Sequence, residues 1–150
     1  MKNAFTMMEL IFVIVILGIL VTVAIPKLSA TRDDAYISKL ANNIMTAAAE
    51  ISAYAMSKSA VDSNMTVMSN AMLIMQANGD ANLSDYSAKI KAGSIVDCIT
   101  VSIDVNNTTG TDTLHVIEKD ANGDSQCLAL QSAIDANKYP MKLRGTNVSY

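Results

Sequence analysis

One histidine and two cysteines are all that this 150-residue chain offers among the side chains that most readily hold transition metals. His115, Cys98 and Cys127 together fall one ligand short of a tetrahedral zinc set. There is no glycine-rich phosphate loop, no Gly-x-Ser-x-Gly, no cysteine matched to more than one distant histidine and no convincing carboxylate pair. The ingredients of a catalytic site are missing, and no enzyme is expected. Basic clusters are also absent: after Pro26, ten Lys and Arg stand against thirteen Asp and Glu, within a net charge of −3. That balance lacks the electrostatic footprint of a nucleic-acid binder.

What the chain has in abundance is apolar sequence at its start. Leu10 to Ile25 is free of charge, and Phe5 to Ile25 as a helix measures roughly 31 Å at ~1.5 Å per residue, enough to cross a bilayer core. A secretory signal peptide has a shorter apolar core, a basic leader and a small-residue cleavage site. Here only Met1 to Ala4 precede the run, and Pro26-Lys27 follows it without Ala-x-Ala spacing. The remainder is long enough for one modest core, so the chain reads as one head on one appendage.

A carboxylate, Glu9, interrupts the front of this run. In a membrane segment it costs about 2.5–3.5 kcal/mol on insertion scales and therefore calls for a partner or a role. One reading places it at the helix end, reaching headgroups and favoured by the positive N-terminus of the helix. Gly18 and Pro26 weaken the same helix, and Pro26, lacking an N–H, is expected to kink or open it near Thr22.

Phe5-Thr6-Met7-Met8-Glu9-Leu10, set after a very short leader with Lys2 and before an apolar stretch with Gly18 and Pro26, resembles the N-terminal signature of type IV pilins and type II secretion pseudopilins. The resemblance covers about the first 30 residues closely and the rest only in architecture. It implies a leader over 1–4 that a membrane prepilin peptidase removes between Ala4 and Phe5, with N-methylation of Phe5. The family usually has glycine before the cut, and Ala4 departs from that. The resemblance further implies that Glu9 attracts the positive N-terminus of a neighbouring subunit, and that the helix around Gly18 and Pro26 partly unwinds in the filament. Its implied partners are related pilins, the peptidase, the membrane and an inner-membrane assembly platform. The implied location is the bacterial inner membrane, with the head in the periplasm, then a periplasmic pseudopilus or an extracellular pilus.

Beyond the transmembrane and assembly segment 5–26, Ile37, Leu40, Ile44, Ala47, Ile51 and Tyr54 step by three and four. This is an amphipathic spine over 27–58 that the head, 59–150, packs against. Met65, Met68, Met72 and Met75 repeat that spacing and read as gap-filling core, with Asp62 or Ser63 capping the start and Asn78-Gly79 the end, inside a connecting region from Ser59 to Gly93. Ile99, Val101, Ile103 and Val105 alternate with polar residues, and Leu114 and Val116 share a face beyond a polar turn at 106–112: an antiparallel hairpin with His115 on the opposite face. Ser125 is placed to cap a short helix bearing Cys127, Leu130 and Ile134, and 141–150 to form a last strand with a bulge at Gly145. The expected fold is α+β, a ladle with a long helix and a small antiparallel sheet.

Cys98 near the start of one strand and Cys127 just past the end of its partner fall together in such a hairpin, and a disulfide there is expected. Closing a loop of that length contributes about 3.5 kcal/mol in the chain-entropy model. No cofactor is required. Asp120, Asn122 and Asp124 present oxygens at alternate positions and are the one calcium candidate, although an EF-hand needs glycine at its sixth position and glutamate at its twelfth, where this loop has Gly123 at the fourth and Gln131 at the twelfth. Asn64, Asn82 and Asn106 each begin Asn-x-Ser/Thr with an aspartate two residues before, an acceptor pattern for bacterial N-glycans that polar turns also produce. The function expected is that of a filament subunit, most akin to a secretion pseudopilin. A major or minor pilin of a surface pilus, or a membrane-anchored binding module that does not polymerise, are the alternatives.

Overall fold

The computed structural model describes residues 6–106 and 111–144. Ala4, Phe5, Thr108 and Gly145 lie outside them, and with them the cleavage site, part of one glycan triplet and the expected bulge. The order of elements is α1 (Met7–Lys58), α2 (Met65–Met68), α3 (Asn70–Ala77), β1 (Ala81–Ser84), β2 (Ser87–Ala92), β3 (Ile95–Asp104), β4 (Thr113–Glu118), α4 (Ser125–Ala133), a 3₁₀ turn (Ala136–Lys138) and β5 (Met141–Lys142). The architecture is α+β, a long N-terminal helix followed by a five-stranded antiparallel sheet. Two compact units divide after Tyr36, inside the segment expected to be amphipathic.

Helix α1 runs 52 residues without interruption through Gly18 and Pro26. The expected opening near Thr22 is thus not present in the isolated chain. Pro26 withholds one backbone donor, yet the other i→i−4 bonds of so long a helix hold the turns around it. The helix ends where Ser59 turns to φ 51°, a left-handed residue that stops propagation.

Within the second unit, Ile37, Leu40, Ile44, Ala47 and Ile51 are buried as their spacing requires. Tyr54 is only half-buried, and Ala55 completes the stripe instead. All four methionines of the second ladder are buried, but on two helices rather than one. Ser69, extended at φ −142° and ψ 123°, splits the ladder because its side chain accepts from Met72 N–H and caps α3. Asn64, not Asp62 or Ser63, caps α2 by accepting from Thr66 N–H. Asp62 instead accepts from the Asn64 N–H.

The sheet runs in order β1-β2-β3-β4-β5, every neighbour antiparallel. Val101 faces Val116 and Ile103 faces Leu114, so the inner face of β3 and β4 is apolar as their alternation dictates. Strand β3 begins at Ile95, earlier than expected, and stops at Asp104 with Val105 outside it. The hairpin β1-β2 lies in what was expected to be connection. Its alternation is real, but alanines occupy many of the inward positions of Ser87-Ala88-Lys89-Ile90-Lys91-Ala92, and alanine is a poor strand former. Helix α4 lies near β2 and β3, with its Cys127 and Leu130 and the Cys98 of β3 all buried. Its cap is Asp124, one residue before Ser125. Of the strand expected over 141–150, Met141–Lys142 forms β5, Leu143 and Arg144 lie past its end, and 145–150 fall outside the described residues.

Candidate functional site

Two places carry the chemistry singled out by the sequence: the start of α1 and a set of clasps in the head. From Thr6 to Ala35 every described side chain is exposed, including Met7 at 80%. A window of α1 has mean hydropathy 2.9 and none of it is buried, so by length and composition this helix is able to cross a membrane.

Glu9 sits in a reciprocal cap. The Thr6 N–H donates to Glu9 Oε2 at 2.9 Å and the Thr6 hydroxyl donates to the same oxygen at 2.7 Å. The Glu9 N–H donates back to Thr6 Oγ1 at 3.3 Å. This is the capping box Thr-x-x-Glu, which satisfies backbone donors that a helix start otherwise leaves open. The sequence carries that motif in Thr6-Met7-Met8-Glu9, with the partner of Glu9 three residues before it. Within the chain the carboxylate is therefore hydrogen-bonded and positioned at the mouth of the helix, on a segment whose apolar side chains are uncovered. Around Gly18 a side-chain carbon would meet nothing within 4 Å, so the glycine leaves a notch open on that surface.

In the head, Cys98 and Cys127 form a disulfide across 29 residues, with Cα atoms 5.7 Å apart. Gln131 reinforces the junction, its side-chain amide donating to the carbonyls of Cys98 at 3.1 Å and Lys119 at 2.6 Å.

The turn at 120–124 is built from its own hydrogen bonds. Asp120 Oδ1 accepts from the Asn122 N–H, and Asn122 and Gly123 take positive φ. Asp124 turns both oxygens to protein donors: Oδ1 to the N–H groups of Gln126 and Cys127, Oδ2 to the N–H and hydroxyl of Ser94. Among the described residues no group of three His, Cys, Asp or Glu side chains is placed to hold a metal. The Ser94 backbone N–H, followed by its hydroxyl and the Cys127 N–H, lowers the Asp124 pKa from 3.8 to about 2. Gly93 is demanded twice over, by φ +58° and because a side-chain carbon there would collide with the Asp124 carboxylate.

A depressed carboxylate pKa stabilises the fold above the unfolded value, and that contribution fades as pH falls through the folded one. For Asp124 the window is pH 4 down to about 2. Asp124→Asn is expected to flatten the fall in melting temperature across that interval relative to the parent. Thermal unfolding of both chains at several pH values reads the difference, and parallel curves would remove Asp124 from the account.

Two further carboxylates were missed. Glu50 on α1 accepts from the Ala71 N–H at 3.0 Å and the Ser69 hydroxyl at 2.7 Å, and these donors, the backbone one foremost, hold its pKa below the ordinary value. Asp112, with no exposed side-chain surface, has Arg144 Nε 2.7 Å from its Oδ2. That contact is charge against charge rather than an aligned hydrogen bond. Arg144 also donates through Nη1 to the Ser59 carbonyl at 2.9 Å. No local motif signals a pair 32 residues apart.

His115 lies on the sheet face opposite the core, 3.0 Å from the Thr113 hydroxyl through Nε2. Asn64, Asn82 and Asn106 are all exposed, with Asn64 Oδ1 engaged by the Thr66 N–H and hydroxyl. No family model, curated protein or solved structure matches the chain.

Proposed function

We propose that this chain is a structural subunit of a type IV pilus-family filament, most akin to a type II secretion pseudopilin, held in a membrane by residues 5–26 before it polymerises through them. The single observation that carries the reading is the start of α1: a reciprocally capped Glu9 heading a stretch, up to Ala35, whose described apolar side chains are all uncovered. In a lone membrane anchor the carboxylate serves as a helix cap at a cost of about 2.5–3.5 kcal/mol to insert. A bundle of such helices gives it a further use, because a carboxylate beside a neighbour's terminal amine compensates both charges in a low dielectric.

In this mechanism prepilin peptidase cuts between Ala4 and Phe5, exposing the amine that pairs with Glu9 of the next copy. Gly18 and Pro26 then provide the weak stretch in which the helix unwinds once neighbours replace lipid. The role is structural, with no catalytic residues. The head would stand on the far side of the membrane, where oxidising conditions maintain Cys98–Cys127.

The test is the mature N-terminus. Mass spectrometry of the chain recovered from its host should find Phe5 as first residue, carrying one methyl group. A first residue beyond Pro26 would identify a cleaved signal peptide and overturn the reading, as would an unprocessed chain retaining Met1 to Ala4.

A further inference from the structure

One cavity in the head belongs to none of this. A depression of about 220 Å³ is lined by Ser63 and Asn64 ahead of α2, Gln76 on α3, and Leu83, Ser84 and Asp85 at the β1-β2 turn. Three separate segments build it, and the β1-β2 turn is tied through its backbone to the segment ahead of α2 and to β3. The Tyr86 N–H donates to the Ser63 carbonyl at 2.9 Å and the Ile103 N–H to the Tyr86 carbonyl at 2.8 Å. Tyr86 itself sits at φ 55°, a region that side chains other than glycine rarely enter and that persists only where surrounding contacts enforce it. This turn is what brings Asp85 to the rim.

Apart from Asn64, whose Oδ1 caps α2, the polar side chains here are not spent on the fold. Among the described residues, no hydrogen bond engages the side chains of Ser63, Gln76, Ser84 or Asp85, in contrast to the committed carboxylates of Asp124 and Glu50. The lining thus offers a carboxylate, one uncommitted amide and two hydroxyls around one apolar residue, with the Asn64 amide beside them. Each amide and carboxylate presents two polar atoms in a plane, the arrangement that meets two adjacent hydroxyls on a ring. Other ligand classes fit poorly. One carboxylate without histidine or cysteine does not make a metal site. Leu83 alone gives too little apolar surface for a lipid or aromatic ligand, and no lysine or arginine lines the wall to receive an anion. The space falls below the roughly 300–1,000 Å³ of pockets for drug-sized molecules, which leaves room for one ring.

We propose that this depression binds a single neutral sugar unit, with Asp85 and Gln76 receiving adjacent hydroxyls, Ser63 and Ser84 at the sides and Leu83 against the ring. The site stands apart from the filament reading, since none of its residues lies on the exposed part of α1. Asp85 makes it selective against acidic sugars by like-charge repulsion.

The experiment uses the full chain in micelles of a detergent without sugar groups, with saturation-transfer NMR of methyl hexosides and of a methyl hexuronate. Saturable hexoside binding is expected with a Kd on the order of 1–10 mM, given the modest energy per atom of small ligands. Asp85→Ala and Gln76→Ala should each weaken it about three- to tenfold, and Asp85→Asn should admit the hexuronate. Both positions are exposed, so the variants keep the fold. No saturable binding of any hexoside at ~50 mM, far above the expected Kd, would overturn the proposal. So would binding unchanged in the Asp85→Ala Gln76→Ala double variant, or a hexuronate bound as well as the hexosides by the parent chain.

Discussion

Arg144→Ala is expected to destabilise the head by about 3 kcal/mol, the lower end of the cost of breaking a buried ion pair from one side. The lower end applies because Arg144 keeps 24% of its side chain exposed while Asp112 keeps none. The loss is not the value of the pair itself. It is the penalty of leaving the Asp112 charge where water cannot reach it, with the Asn106 N–H donating to its Oδ1 at 3.2 Å. For a domain of this size that corresponds to roughly 10–20 °C in melting temperature. The consequence is spatially wide, because one guanidinium joins the end of α1 at the Ser59 carbonyl to Asp112 before β4, and the Leu143 N–H donates to the Asp112 carbonyl at 2.8 Å. Asp112→Asn added to Arg144→Ala removes the stranded charge while keeping an acceptor for Asn106. The double variant should therefore be more stable than Arg144→Ala alone, and thermal unfolding of the full chain in micelles measures both. A double variant no more stable than the single one would mean that the cost comes from lost packing of the Arg144 side chain instead.

Glu9→Gln should cut assembly at least tenfold while sparing insertion, and it separates two roles that Glu9→Ala confounds. Glutamine retains an oxygen for the Thr6 N–H and hydroxyl, so the capping box survives. It carries no charge, so a neighbour's terminal amine gains no compensation. Membrane insertion should be equal or better, since the insertion cost of the carboxylate disappears. Recovery in fibres should drop tenfold or more, the effect of losing about 1.4 kcal/mol per subunit contact. Quantifying the chain as monomer and as cross-linked filament in isolated envelopes gives both numbers. Fibres at parental abundance would leave Glu9 with its helix-capping role alone.

The elements legible in the sequence were those whose signal is local and periodic. The stripe Ile37 to Ile51, the methionine ladder and the β3-β4 hairpin with its disulfide all emerged from spacing of three and four or of two. What escaped has physical reasons. Alanine inward positions disguised β2, because alternation is read from bulky apolar residues. Ser69 broke one expected helix into two because a side chain that caps the next turn competes with continuation. Asp124 looked like a calcium ligand because an aspartate beside Asn-Gly suits either a metal or a helix start, and only the fold brings Ser94 to its second oxygen. Asp112–Arg144 and Glu50 with Ser69 are pairings between distant segments, invisible until the chain is folded.

The measurement closest to the central claim is the state of the parent chain itself. Cross-linking intact cells and isolating the chain from the envelope should give a ladder of oligomers joined through the N-terminal helices, with the remainder in the membrane as unassembled subunits. A chain found wholly in the membrane as a monomer, in cells that process it at Phe5, would contradict polymerisation through the N-terminal helix.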